Sequence, residues 1–337
     1  MIKYSIIIPV RYINDFLKRN IEELKQLDYK DFEVIILPDE PEEFDFENDP
    51  RFSVIPTGTS HPAGKRNLGS LYAKGEILAF IDDDAYPAKN WLSMAEQVFE
   101  ETGTYALGGP AMTPGDDCFK EKMSGRVLES YLTSAKFVYR HLPFPPRKIN
   151  DFPTVNLFVK KDAFEKVGGF LQEFWPGEDT KLCLDLVKFF KQDFVYDPRP
   201  IVYHHRREMF KPHLKQISRY GRHRGQFARI FPETSRLPAF FVPSFFVLGL
   251  WMGPLVAMLL PVLWKFYFGG LFVYFTAVGL EATRVAIKER SIRAFGFVYW
   301  GIFLTHITYG FYFMVGFLKR PKYISKAVDS SGNYSEG

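Results

Sequence analysis

Three adjacent carboxylates, Asp82-Asp83-Asp84, close the apolar run Ile77–Ile81 (ILAFI). Carboxylates crowded in this way repel one another unless a cation or a set of donors compensates. Hard oxygen ligands suit Mg²⁺ or Mn²⁺, which bind through one or two carboxylates together with substrate phosphates. Strand alternation puts Asp82 and Asp84 on one side and makes them the working pair. The same residues would also serve as a solvated acidic turn. A second group, Gly177-Glu178-Asp179-Thr180, follows Trp175-Pro176 and opens the helical pattern KLCLDLVKFF. A helix N-terminus favours ionised carboxylates, and an ionised Asp held there could accept a proton from a hydroxyl. It could equally do no more than cap its helix. The run Ile201–His205 (IVYHH) delivers two histidines at the end of a strand. Beside a metal site they could act as imidazole ligands or meet a diphosphate, or they could be ordinary surface or core histidines. Arg66, in Gly64-Lys65-Arg66-Asn67, sits early in a helix and could meet a phosphate, a base or only solvent.

The elements that must position these residues are legible upstream of residue 206. Tyr4–Val10 (YSIIIPV) is a continuous β-branched run ending beyond Pro9, as in a strand buried on both faces. Asn14 can cap a helix through about Leu27, with Leu17, Ile21, Leu24 and Leu27 on one face. Phe32–Leu37 is a second strand, Phe52–Ile55 a short third, Pro62–Lys74 a helix, Ile77–Ile81 a strand and Asn90–Glu101 a helix. Between them, Asp39–Asp49 holds seven acids and no base, the composition of a solvated loop. Alternating strands and helices specify an α/β fold with a doubly wound, mostly parallel sheet. Ligands of such sheets bind beyond the carboxyl ends of the strands. Arg11, Asp39 and the Asp82–Asp84 triplet stand at those ends. No GxGxxG or GxxxxGK[ST] loop is present, which argues against a dinucleotide-binding dehydrogenase or a P-loop NTPase.

The 337 residues are 47% hydrophobic and 17% aromatic, enough apolar material to exclude a disordered chain. The net charge of +4 gives no case for nucleic-acid binding. The apolar residues are unevenly spread. Leu237–Trp264 and Ala294–Leu318 contain no Asp, Glu, Lys or Arg, and Phe266–Leu280 is a shorter uncharged run between them. About 20 apolar residues span a bilayer as a helix, so two to three transmembrane helices are expected. Between Arg206 and Arg229 there are eight Lys or Arg and one acid, Glu208. The positive-inside rule places that belt, and the soluble domain with it, in the cytosol. Three simple passes would put Lys319, Arg320, Lys322 and Lys326 on the outside, against the same rule. Within the belt, Pro212–Phe231 reads as an amphipathic helix for an anionic membrane surface. Met1 leads straight into a strand with no signal-peptide pattern. Cys118 and Cys183 fit a reducing compartment and give no metal-site spacing.

Taken in order, these pieces resemble the family 2 glycosyltransferases of the GT-A fold. The likeness runs over roughly residues 3 to 230. It rests on SIIIPV at the start, on Asp39 after the second strand, and on GKRNLGSLYAKGEILAFIDDDAYPAKNWL from Gly64 to Leu92. It continues through FEKVGGFLQEFWPGEDTKLCLDL from Phe164 to Leu186 and VYHHRR from Val202 to Arg207. The resemblance implies that Pro9, Arg11, Asp39, Arg66, Asp82 and Asp83 line a nucleotide-sugar site. Asp39 would meet the base, Arg66 the nucleotide or its phosphates, and Asp82 the ribose. Asp84 would hold the metal, with His204 as a late metal or diphosphate ligand in preference to His205. Asp179 would be the general base, with Glu178 orienting the acceptor. Trp175, Gln216, Arg219 and Tyr220 would form an acceptor-side gate. The last three are similar to the Q-x-x-R-W element of processive synthases, with Tyr replacing Trp. PDEPEE also replaces a DDGS-like turn after the second strand.

The activity so implied is an inverting, metal-dependent transfer of a sugar from a UDP- or GDP-sugar to a lipid-linked or glycan acceptor hydroxyl. The cofactor is Mn²⁺ or Mg²⁺. The expected organisation is a GT-A catalytic domain over residues 1–205 and a basic interfacial segment over 206–236. A membrane domain over 237–318 and a polar tail over 319–337 complete it. The enzyme would be multi-pass in the cell membrane with its catalytic domain cytosolic, in contact with the lipid bilayer, and an oligomer is compatible with the sequence. A processive polysaccharide synthase and a non-catalytic membrane scaffold of the same fold are the alternatives.

Overall fold

The computed structural model describes residues 2–41 and 49–319, and the backbone of 326–328 and 334–336. Most of the expected acidic loop (42–48) and the tail residues Arg320 and Lys322 lie outside the described residues. The chain forms two compact units, Met1–Met112 with Tyr139–His205 and Tyr323–Gly337, and Thr113–Val138 with Arg206–Lys322. Thr113–Val138, upstream of the basic segment, thus belongs to the second unit.

In the first unit, β1 (Tyr4–Pro9) is buried along its whole length, as its unbroken apolar run requires. The helix α1 (Asp15–Lys25) starts where Asn14 Oδ1 accepts the Leu17 N–H at 2.9 Å, and it buries Leu17, Ile21 and Leu24. Next come β2 (Phe32–Leu37), β3 (Phe52–Val54) and α2 (Pro62–Tyr72), which has Pro in its first turn. They are followed by β4 (Ile77–Phe80), β5 (Ala85–Pro87) and α3 (Trp91–Thr102). Gly103, at φ 62°, ends α3 in the left-handed conformation that glycine adopts at little cost. The chain goes on through β6 (Ala106–Gly108) and β7 (Ala111–Met112). It then contributes α4 (Phe119–Leu128) and α5 (Tyr131–Ser134) to the second unit. It returns with β8 (Arg147–Ile149), β9 (Leu157–Lys160), α6 (Lys161–Lys166), α7 (Glu178–Phe190), β10 (Phe194–Tyr196) and β11 (Val202–His204).

The main sheet has the order β3-β2-β1-β4-β9-β6-β10-β8. Four of its pairings are parallel, while β9 runs antiparallel to both β4 and β6, and β8 is antiparallel to β10. The sheet is therefore mixed, with its parallel half at the β3–β4 side. Ile6, Ile8, Val34, Ile36, Ala79 and Phe158 share one core with Trp91 and Val98 of α3. A smaller sheet, β5-β11-β7, stands beyond the end of β4. Its register pairs His204 with Ala85, which sets that histidine beside the residue following Asp84.

The second unit is helical. It holds α4, α5, α8 (Lys211–Ile230), α9 (Pro232–Ser235), α10 (Pro238–Leu259), α11 (Leu263–Lys288) and α12 (Ile292–Leu318). The last three are long and apolar enough to cross a membrane. The amphipathic helix α8 packs closely on α12. A Cβ at Gly221 would lie 2.7 Å from the Tyr309 carbonyl, one at Gly225 2.1 Å from the Phe313 carbonyl, and one at Gly316 1.9 Å from the Arg222 carbonyl. Small residues at these points let the two backbones approach. His213, buried between the same helices and α4, lies 2.7 Å from Ser124 Oγ through Nδ1 and 2.9 Å from Thr305 Oγ1 through Nε2.

Candidate active site

The carboxyl ends of β1 and β2 are joined by a residue that the sequence reading passed over. Lys65, in the first turn of α2 and 3% exposed, donates to the Val10 carbonyl at 2.6 Å and to the Leu37 carbonyl at 3.1 Å. It also pairs with Asp39 Oδ1. Arg11 approaches the other Asp39 oxygen at 4.0 Å, with its own side chain in solvent, and Pro9 is buried at the end of β1. The signal for Lys65 was present: strands ending together leave carbonyls pointing outward, and a lysine next to Arg66 faces them from the helix. Sequence alone does not tell which of two neighbouring cations turns inward.

Arg66 turns toward the chemistry. Its Nη2 donates to Asp82 Oδ1 at 2.7 Å and its Nη1 to Glu178 Oε1 at 3.0 Å. One buried guanidinium thereby ties the acidic triplet after β4 to the first residue of α7. Burial pushes the Glu178 carboxyl above its usual range, and the Arg66 charge opposes that shift. Asp83 is held apart from this pair. It accepts a hydrogen bond from Asn14 Nδ2 at 2.7 Å, while burial and then the neighbouring Asp84 charge push its pKa up to about 6.

Asp84 is buried, and its Oδ1 lies 3.2 Å from His204 Nε2. One ligand atom each from Asp82, Asp84 and His204 fall within 4.8 Å of one another. Two carboxylates and an imidazole at that spacing fit a divalent cation. His205 instead sets its ring between Phe16 and Tyr86, at 4.8 and 5.6 Å, while its N–H bonds the Asp84 carbonyl at 3.0 Å. At the start of α7, Asp179 Oδ1 accepts the Thr180 N–H at 2.7 Å, and Thr180 Oγ1 donates to Asp151 Oδ1 at 2.9 Å. Asp151 is in turn bound by Arg140 Nη2 at 3.1 Å. These contacts fix the first turn of α7 and with it the direction of the Asp179 carboxylate. Trp175 stacks on His61, centroids 4.7 Å apart and planes 15° apart, so the loop before α7 covers the N-terminus of α2. His61 was not singled out from the sequence, because a residue preceding Pro62 reads only as a helix start. Gln216, Arg219 and Tyr220 lie on α8 in the second unit, where Gln216 Nε2 donates to Tyr220 Oη at 3.0 Å.

A mixed sheet with an acidic pair at the end of a central strand, a histidine returned to it by β11 and a carboxylate-led helix opposite defines a GT-A-type fold. The fold is shared with the mannosyltransferase PcManGT from Pyrobaculum calidifontis at a TM-score of 0.55 and 16% identity, over 94% of this chain and 87% of that one. Residues 5–168 match the model of Glycosyl transferase family 2, so the chain carries a family 2 glycosyltransferase domain. It is 32% identical over 115 residues to the glycosyltransferase AglE of Haloferax volcanii, covering 34% of this chain and 35% of the relative. It is 25% identical over 211 residues to the pre-mycofactocin glycosyltransferase of Mycobacterium tuberculosis, covering 60% and 43%. The matched part thus spans well under half the length of these two curated relatives.

Proposed function

We propose that this protein is a membrane-anchored, inverting glycosyltransferase. It moves a sugar from a UDP- or GDP-sugar to the hydroxyl of a lipid-linked or glycan acceptor at the cytosolic face. The observation that carries this reading is the Arg66 bridge, which joins a cation-fitting cluster (Asp82, Asp84, His204) to the carboxylates that open α7. The donor class is also supported by the fold neighbour, described in complex with GDP-Man and Mn²⁺. Asp82, Asp84 and His204 would hold Mn²⁺ or Mg²⁺. When bound, the ion would supply positive charge to balance a departing nucleoside diphosphate.

The chain's own residues do the rest. Arg66 and Lys65 fix the carboxyl ends of the strands on which Asp39 and Asp82 meet the nucleoside, with Pro9, Arg11 and Asp83 lining the same region. Asp179, its carboxylate oriented by the Thr180 N–H, accepts the acceptor hydroxyl's proton as that oxygen attacks the anomeric carbon. Glu178 is kept in place by Arg66 and orients the acceptor. Trp175 shields the acceptor side, and Gln216, Arg219 and Tyr220 are assigned to the acceptor on the basis of the sequence resemblance alone. A single displacement inverts the anomeric centre. The apolar helices α10 to α12 anchor the protein, and the basic belt from Arg206 keeps the catalytic unit cytosolic.

Positioned base catalysis is typically worth ~10²–10⁴-fold. Asp179→Asn should lower turnover by about that factor, because the amide still accepts the Thr180 N–H but takes no proton. Donor binding, read as the thermal shift given by a UDP- or GDP-sugar with Mn²⁺, should persist in the variant and vanish on chelation. Wild-type turnover in Asp179→Asn would remove the base assignment, and a donor shift indifferent to chelation would remove the metal assignment.

A further inference from the structure

Three long apolar helices suggest three crossings, yet the packing inside the second unit separates α12 from the other two. Along its C-terminal half α12 is lined by α8. His213 meets Thr305, Gly221 and Gly225 close on Tyr309 and Phe313, and Arg229 Nη1 reaches the Phe317 and Leu318 carbonyls at 3.5 Å. On α8 the exposed side chains over this stretch include Lys211, Lys215, Arg219, Arg222 and Arg229. A helix with cations on every turn stays out of hydrocarbon, where each such charge is costly. Whatever lies along it, backbone against backbone, sits at the same depth.

The N-terminal half of α12 is likewise lined by a charged helix. A Cβ at Gly301 would come 2.8 Å from Val127 of α4, and the neighbouring Arg126 pairs through Nε with Glu289 at 2.6 Å. His306 Nε2 donates to the Leu132 carbonyl of α5 at 2.8 Å. On its other side α12 carries α10, which crosses it where Ser244 Oγ donates to the Gly310 carbonyl at 3.0 Å. It also carries the C-terminal half of α11, through Tyr274 to His306 at 2.9 Å and the apolar cluster of Val278, Ala282 and Val285 with Ala294 and Val298. Beyond these contacts α10 and α11 leave α12 together as a hairpin, in which Gly253 is close to Tyr267. Its side chains here are apolar and exposed: Leu259 is 81% exposed, Phe266 73% and Phe272 73%. Exposed Trp300, Phe311 and Leu318 form a narrow stripe on α12 itself at helical spacing.

We propose that α12 does not cross the membrane but lies in its interface. It would be sandwiched between the basic layer of α4, α5 and α8 and an α10–α11 hairpin that alone enters the hydrocarbon. Both ends of the 206–319 segment then stand on one face of the bilayer. Lys319, which follows Leu318, falls on the same side as the belt at Arg206–Arg229, as the positive-inside rule asks. The partner of the exposed hairpin is therefore lipid hydrocarbon, and that of the α8–α12 layer an anionic headgroup surface. This inference rests on the membrane anchoring proposed above.

The native Cys118, exposed at the start of α4, reports the face of the basic layer, and Cys183 is buried. Full-length protein is reconstituted in vesicles, washed with carbonate, and sealed vesicles of known orientation are treated with a membrane-impermeant maleimide. A Cys118→Ser/Leu318→Cys protein should be labelled from the face that labels Cys118 in the wild type and protected from the other. Cys118→Ser/Lys319→Cys reports the same end should the first variant express poorly. Labelling of either variant only from the opposite face overturns the interfacial placement. Release of the wild-type protein by carbonate overturns the anchoring itself, and the interfacial placement with it, which separates the two failures.

Discussion

Arg66 shows how one side chain can organise two halves of a site. Its Nη1 and Nη2 are both committed to carboxylates, and Nε is buried with no hydrogen-bond partner among the described residues. Removing one member of a buried ion pair costs about 3–5 kcal/mol, because the remaining charge has lost its solvent and its partner. Arg66→Met should destabilise by that order, seen as a lower midpoint in denaturant. Adding Glu178→Gln should restore part of the loss, since a neutral amide is cheaper to bury. A midpoint for Arg66→Met equal to that of the wild type would show that the bridge does not hold the site. At this scale the sequence was informative about residue types and silent about pairing. Asp82, Asp84, Glu178 and Asp179 stand out by crowding and by helix-start position. That Arg66 would span two of them, and that Lys65 would be taken up by Asp39 and two strand ends, depends on chain segments far apart in sequence.

The helices and the longer strands are where periodicity predicts them, because each buries a continuous apolar face. The short antiparallel β9, only four residues long, carries too little pattern to be read, yet it joins the parallel half of the sheet to β6 and β10. On α8 the apolar spacing was legible and its partner was not. Gly221 and Gly225, on which the apolar spacing is silent, are points of contact with α12. A side chain forced into a packed contact typically costs about 1–3 kcal/mol. Gly225→Leu, facing the Phe313 carbonyl, should lower the melting temperature in detergent measurably. Gly249→Leu on α10, where a Cβ would have no neighbour within 4 Å among the described residues, is the matched control and should melt as the wild type does. Equal melting of the two variants would mean that the α8–α12 contact contributes nothing to stability.

Across the whole molecule, hydropathy divides the chain near Arg236, but it could not assign Thr113–Val138 to the second unit, because that segment has ordinary polarity and its partners begin only at Arg206. One residue of this shared packing makes stability depend on pH. Burial pushes the pKa of His213 down from 6.5 to about 4. Between those values the unfolded chain binds the proton and the folded one does not, so stability rises with pH. It is fully present above pH 6.5 and is lost as pH falls toward 4, by up to about 3 kcal/mol at one pKa unit per 1.36 kcal/mol. Melting temperature measured from pH 7 down to 5 should therefore fall more steeply for the wild type than for His213→Gln. Parallel curves would exclude His213 as the source. The pairing of β11 with β5 and β7 has a consequence for biosynthesis. A nascent chain carries the acidic triplet long before the ribosome delivers His204. Until then β5 has no strand beside it, and the crowded carboxylates lack their imidazole. Any product truncated ahead of Val202 would expose an unpaired β-edge next to three clustered acids. Loss of the chain from Val202 onward would damage the first unit as well as removing the helices α8 to α12.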